Sequence, residues 1–550
     1  MTTSVPSIPR PVDAGGAAVR PQAGYLRPDR TGFIAGWTQP ALRESRHDVR
    51  AAWRPVAARA VETIQNSGWM AGAVDQAIAD TLGTGLKLNA VPDAEALGLS
   101  EDEARAFARQ IERRWRRWSR RPLECDARGK MTVNMMADAM LRSHYAYGEG
   151  AARILRRKRT FARSATKVQL FSPLRIQHET AEELGLYQGV FVDGDGLATG
   201  YRVKAQVGGH ERTVDLPARD RDGSPLLVHV FDGAADQTRG ISPFAPILKV
   251  FRQADQLADA TLVTMLLQTI FAATVKSDSL SEEAFDGLKV DEANGEVTGE
   301  LGEYLKAKNL WWEGSKLDLG SFGRVNHLFV GEELQFHSTN HPHNNYLPFL
   351  RNLLREIARA IGVSYEALSF DYEKATYSSV RMGIASLWPL VTRRRLHLSA
   401  PFYQAVYEAW LEEEIFQGWL AVPGGYGAFL KHRAAICQAE WNGPAKPTAD
   451  DLKSAKSMGE RLERGTTSLA HECAEMGLDW EDVAEQRARE SARYRQLGQA
   501  DPHAAKGSPL VGDNGGPALG EDEGDGPEDG PEDGPEEDQG EDDRDEEEAA

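Results

Sequence analysis

Residues 341–381 read HPHNNYLPFLRNLLREIARAIGVSYEALSFDYEKATYSSVR. The spacing predicts one helix running to about Ile361. Leu350, Leu353, Leu354, Ile357 and Ile361 fill one side, and Arg351, Arg355 and Arg359 line the other at intervals of four. Pro348 is tolerable only in the first turn of such a helix. A loop follows, and a second helix opens at Tyr377-Ser378-Ser379-Val380-Arg381. No catalytic group stands beside the arginines, so the pattern describes a charged wall more than an active site. The ordinary account of such a stripe is a solvated helix face, and Glu356 could pair locally with Arg359. Arg393-Arg394-Arg395 form a second cluster, but three consecutive residues cannot share one helical face. His341-Pro342-His343 lacks the further ligands that a metal site needs.

Outward from this stretch, composition sets bounds. At 550 residues the chain is too long for one ordinary core, and 41% hydrophobic content supports a real interior. The net charge of −19 is uneven. Residues 507–550 hold nineteen acids and one basic residue, Arg544, a net −18, which leaves −1 for residues 1–506. A near-neutral body does not grip nucleic acid by bulk charge, although local basic stripes could still touch phosphates. Cys125, Cys437 and Cys473 are far apart, fit no metal spacing and read as buried thiols from a reducing compartment. The first residues lack the order of a signal peptide. The most apolar run, Thr261–Val275, falls short of the roughly 20 residues that span a bilayer. The expectation is a soluble cytoplasmic product without a membrane partner.

Residues 1–30 and 507–550 are expected to be disordered, the first rich in Pro, Gly and Ala, the second dense in charge. Helical patterns cover 39–79, interrupted near Asn66-Ser67-Gly68, then 100–120 behind Ser100, and 131–147 up to Gly148. Residues 150–240 read mostly as strands, with an Asp193-Gly194-Asp195-Gly196 turn between two of them and Leu226–Phe231 as another. A helix is expected from Ser242-Pro243 to about Val275. Residues 276–340 are polar and Gly-rich, a small α/β insert. Further helices are expected over 377–418, with kinks at Pro389 and Pro401, and over 448–463 and 468–495. Trp115 and Trp118, set among Arg113, Arg114, Arg116 and Arg117, could stack on bases, but a helix packing them into a core is the simpler account. No phosphate-loop, nucleophile-elbow, zincin or kinase signature is present, and the glycines at 194–200 read as a hairpin turn.

The order of several motifs resembles one family, the portal proteins of lambda-type phages. The matching positions are Asn66, Gly72-Ala73-Val74, Gly83-Thr84-Gly85, the Trp115–Trp118 helix, Cys125-Asp126-Ala127-Arg128-Gly129 and Gly148-Glu149. They continue through Gly189–Tyr201, His229-Val230-Phe231, Gln237-Thr238-Arg239-Gly240-Ile241-Ser242-Pro243, Gly331-Glu332, His341-Pro342, Gly362-Val363, Asp371 and Tyr377–Arg381. Phe191 stands where the family hairpin usually has an acid.

The resemblance implies an α+β portal fold with a mixed α/β wing, long stem helices, a small α/β clip and a C-terminal helical crown. It maps the wing to 31–240, the stem helices to 241–275 and 341–362, and the clip to 276–340. A channel helix and loop with wing then cover 363–430, and the crown 431–506. It implies a virion protein assembled in the bacterial host cytoplasm, with neither catalysis nor a cofactor or metal. The implied assembly is a closed ring of about twelve copies at one capsid vertex. The implied partners are double-stranded DNA in the channel, the terminase large subunit, major capsid and scaffold proteins, and a head–tail adaptor. Arg351, Arg355, Arg359 and Arg381, with less weight Arg393, Arg394 and Arg395, are candidates to contact DNA or a neighbouring subunit. The rival from another class is a metal-dependent nucleic-acid-processing enzyme, whose mark would be a tight Asp/Glu/His constellation. A cytoplasmic scaffold is a third.

Overall fold

A computed structural model describes residues 42–207, 210–270, 273–277, 289–290, 297–298, 306, 310, 332–336, 345–373, 375–447 and 451–503. The expected N-terminal arm 1–30, His341-Pro342-His343, the acidic tail 507–550 and most of the insert 276–340 lie outside them. The chain divides into two compact units, Met1–Val483 and Ala484–Ala550. Everything below concerns the first unless stated.

Local chemistry sets most boundaries. Helix Ser45–Asn66 stops at Ser67, whose side chain accepts from Met70 N at 3.4 Å and caps the next helix, Gly68–Leu82. Helix Glu101–Ser119 begins with a reciprocal capping box between Ser100 and Glu103. Helix Val133–Tyr147 ends at Gly148, which takes the left-handed conformation at φ 88°. Trp115 and Trp118 are buried. The Trp115 ring centroid lies 5.4 Å from Trp410 and 5.8 Å from Trp441, both edge-on, so this helix spends its tryptophans on the core.

The β-rich stretch forms two antiparallel sheets. Strand Glu149–Arg156 is central between Thr166–Phe171 and Leu227–Phe231. Leu186–Tyr187, Val190–Val192, Ala198–Val207 and His210–Pro217 form a four-stranded meander with a bulge between Phe191 and Val192. A small core of Ile176, Val190, Tyr201, Val203 and Leu227 lies beside it. The main core gathers the tryptophan helix, Gly68–Leu82, Val133–Tyr147 and Ala400–Phe416. Strand Lys87–Ala90 pairs with Ala439–Asn442, tying early sequence to late.

The helix expected over Ser242–Val275 is shorter at both ends, spanning Leu248–Ile270. Ser242 Oγ donates to Tyr145 O at 2.5 Å and accepts from Phe244 N at 3.2 Å, which holds the chain in turns before the helix starts. At the far end Val275 belongs to strand Ala273–Ser277, paired antiparallel with Glu332–Phe336. This ladder stands at the base of the insert. Helix Tyr346–Ile361, here the arginine helix, packs against Leu248–Ile270. Helix Tyr377–Arg394 contains Pro389, passes through a π-helical turn at Arg395–Ser399, and continues as Ala400–Phe416, where Pro401 falls at the start. The helix expected over 468–495 is broken into Leu469–Glu475 and Trp480–Leu497, because Gly477 adopts φ 66°. Asp451–Glu463 precedes them. In the second unit the described residues are 484–503, where His503 Nε2 lies 2.9 Å from Glu490.

Candidate functional site: the arginine face and its buried anchor

The arginine helix buries Leu353, Leu354, Ile357, Ala358 and Ile361, which turns its arginines away from the core. They do not share one environment. Arg351 donates to Glu373 at 2.9 Å and lies 3.1 Å from Asp371. Asp371 also accepts from Tyr365 Oη at 2.9 Å. That hydrogen bond, joined by the Glu373 N–H and by Arg351, holds its carboxyl below the usual carboxylate range. Arg355 is exposed and stands over the Tyr365 ring at 5.2 Å. Arg359 and Arg381 are exposed, and neither has a hydrogen-bond or ion-pair partner among the described residues.

The three consecutive arginines diverge, as their helical spacing requires. Arg393 pairs with Asp232 at 2.8 Å. Arg394 donates to the carbonyls of Ile361 and Gly362, closing the C-terminus of the arginine helix from outside. Arg395 donates to Asp80 O at 3.0 Å, Thr81 O at 2.7 Å and Pro444 O at 2.9 Å. It thereby caps Gly68–Leu82, and burial pushes its guanidinium down to about 10. Arg394 and Arg395 thus use their donors inside the subunit, whereas Arg355, Arg359 and Arg381 face outward.

Glu149 and Arg239 are both fully buried. Arg239 Nε lies 2.9 Å from each Glu149 carboxylate oxygen, and its Nη2 also donates to Glu149. Arg239 Nη1 reaches Gln188 O at 2.8 Å and its guanidinium lies 5.0 Å from the Trp53 ring. Glu149 accepts from Gly240 N at 3.0 Å, and His229 Nε2 lies 3.0 Å away. Burial alone would raise the Glu149 carboxyl. The guanidinium and the His229 contact outweigh it, and the carboxyl sits well below its ordinary range. A Cβ on Gly148 would strike the backbone of Ile241, and one on Gly240 would strike Gly148 O. Gly-Glu at 148–149, His229 and Gln237–Pro243 are therefore one packed knot. Asp126 is a second anchor, accepting from Arg128 N, Lys130 N and Met131 N at 3.0, 2.8 and 3.1 Å. In the sequence these segments are separate motifs. Nothing in their spacing pairs Glu149 with Arg239; the only available signal was that the motifs occur in order.

Among the described residues no group of three His, Cys, Asp or Glu could hold a metal ion, and no helix is long and apolar enough to cross a membrane. Residues 30–395 match the family described as phage portal protein, lambda family. The chain is 28% identical to the portal protein of Escherichia phage N15 over 90% of this chain and 95% of that one. It is 27% identical to portal protein B of Escherichia phage lambda, covering 91% and 95%. Among solved structures, the neck of an empty gene transfer agent (GTA) particle covers 82% of this chain and 95% of its own, at 15% identity and a TM-score of 0.41. The neck of a native GTA particle computed with C12 symmetry covers 78% and 99%, at 14% and 0.40. The chain belongs to the lambda family of phage portal proteins.

Proposed function

We propose that this chain is the repeating subunit of a closed ring, of about twelve copies, at one vertex of a phage capsid. Double-stranded DNA passes through the ring during packaging and ejection. The terminase large subunit docks on it first and a head–tail adaptor later, with the major capsid and scaffold proteins around it. Assembly takes place in the host cytoplasm and the product stays in the virion. The observation that carries this is the family match over residues 30–395, together with two portal relatives collinear with nine-tenths of the chain.

In this scheme residues 31–240 form the wing, 241–275 and 341–362 the stem, 276–340 the clip, 363–430 the channel helix and loop, and 431–506 the crown. Support comes from the packing of Leu248–Ile270 on the arginine helix, with the insert starting from the ladder beside them. A body close to neutral suits a channel, because strong phosphate binding would stall sliding DNA. The role is structural rather than catalytic, with no cofactor. Arg355, Arg359 and Arg381 are the foremost candidates to touch DNA or a neighbouring subunit. Arg351, Arg393, Arg394 and Arg395 follow with less weight, since each has a partner in its own chain.

Native mass spectrometry and electron microscopy of the purified chain test this. The expected species is a ring approaching about twelve times the 60.5 kDa subunit. Monomers at every concentration, with metal-dependent cleavage of DNA, would favour the enzyme instead.

A further inference from the structure

The arginine helix packs on Leu248–Ile270, and that helix carries a stripe of the opposite sign. Asp255 and Asp259 are exposed four residues apart, as are Arg355 and Arg359. Residues four apart stand about 6 Å apart along a helix and share a face, so the two stripes have one pitch. Within each stripe like charges are neighbours, which is unfavourable when nothing opposes them. Among the described residues neither acid has an ion-pair partner, and Arg359 has none either. Arg252, one turn before Asp255, makes no ion pair with it among those residues. Glu356 lies about 100° around the helix from Arg355 and so off the stripe.

Position along the helices matches as well. The ladder of Ala273–Ser277 with Glu332–Phe336 follows one helix and precedes the other. Asp255 and Asp259 lie before Ile270, and Arg355 and Arg359 after Tyr346, by similar numbers of residues, so the two stripes stand at similar distances from the ladder-side ends of their helices. Rotation about a ring axis keeps height constant. With the helix pair along that axis, a stripe on one flank therefore meets the neighbour's stripe at the same height. Near the same ends, Leu262, Val263, Leu266, Leu347 and Phe349 are each more than half exposed, an apolar ground on which charged pairs can fix register.

We propose that Arg355 and Arg359 of one copy pair with Asp255 and Asp259 of the next copy of this chain. The proposal rests on the ring proposed above and names the surfaces that close it. Such pairs are partly exposed, so salt should weaken them.

Two double variants of the full chain test it by native mass spectrometry at low and high salt. In R355E/R359E both flanks are acidic, and in D255K/D259K both are basic. Each alone should assemble at least tenfold less well than wild type at low salt. An equimolar mixture should regain rings in which the two variants alternate, visible as a fixed one-to-one mass composition. Recovery on mixing also shows that each variant is folded. Three results overturn the pairing. The first is normal rings from either variant alone. The second is a mixture that fails although circular dichroism shows both variants folded like wild type. The third is R355E/R359E forming normal rings and losing only retention of linear duplex DNA, which assigns the arginines to DNA. In all three the wild-type rings remain, so the ring itself stands. Wild type that is monomeric throughout removes the ring and the pairing together.

Discussion

At Glu149 two effects oppose each other. Burial disfavours the carboxylate, while Arg239, the Gly240 N–H and the His229 contact favour it. Removing one member leaves the other charge buried and unpaired, which costs about 3–5 kcal/mol. Arg239→Ala and Glu149→Gln should each lower the urea midpoint accordingly. Because the folded carboxyl is depressed, its stabilisation is complete above the unfolded value of about 4.3 and is lost as pH falls below that. Wild type should therefore lose stability on acidification more steeply than Glu149→Gln does. Glu112 behaves oppositely. Burial first, then Asp479 and Asp482, push its carboxyl up to about 7, although it accepts from Ala90 N at 2.8 Å. The raised value means folding loses stability as pH climbs from about 4.3 through 7. Glu112→Gln keeps an acceptor for Ala90. It should raise the melting temperature at pH 8 and change it little at pH 4.5; an equal change at both would show that the charge is irrelevant.

The arginine helix is closed from two directions. Gly362 supplies the left-handed C-cap at φ 74°, with its N–H on Ala358 O at 2.8 Å. Arg394 covers the Ile361 and Gly362 carbonyls from the next helix. A Cβ at Gly362 would be strained by the backbone and would displace the Arg394 guanidinium. Gly362→Ala should cost about 1 kcal/mol or more in thermal or chemical unfolding. The half-buried Gly383→Ala, within helix Tyr377–Arg394 and with open space at its Cβ, should instead be neutral or mildly stabilising by about 0.5–1 kcal/mol. Equal effects at the two glycines would mean that the cap does not limit this element.

For the whole molecule, the charge distribution matters more than its total. The −18 carried by residues 507–550 sits on a segment with almost no core-forming side chains. Deleting 507–550 should leave the melting temperature and ring assembly unchanged, while reducing electrostatic repulsion of DNA from the part of the assembly that bears the tail. A fall in melting temperature of several degrees on deletion would show that the tail packs against the body.

Several helices and some of their ends were readable without tertiary information. Ser100 with Glu103, Gly148 after Tyr147, and the apolar face from Leu350 to Ile361 act within a few residues of themselves. The divergence of Arg393, Arg394 and Arg395 also follows from helical geometry, although their three targets do not. Those targets, the Glu149–Arg239 pair ninety residues apart, and the ladder of Lys87–Ala90 with Ala439–Asn442 exist only once distant segments meet. The late start of Leu248–Ile270 has the same cause, since the Ser242 hydroxyl that could have capped a helix is bound to Tyr145 O instead. Periodicity and capping are properties of neighbouring residues, so this sequence by itself determined most of its helices, several strand positions and the order of its family motifs. Burial and partner choice depend on which surfaces are brought together, so only the tertiary structure decided which arginines hold the subunit together and which are left facing outward.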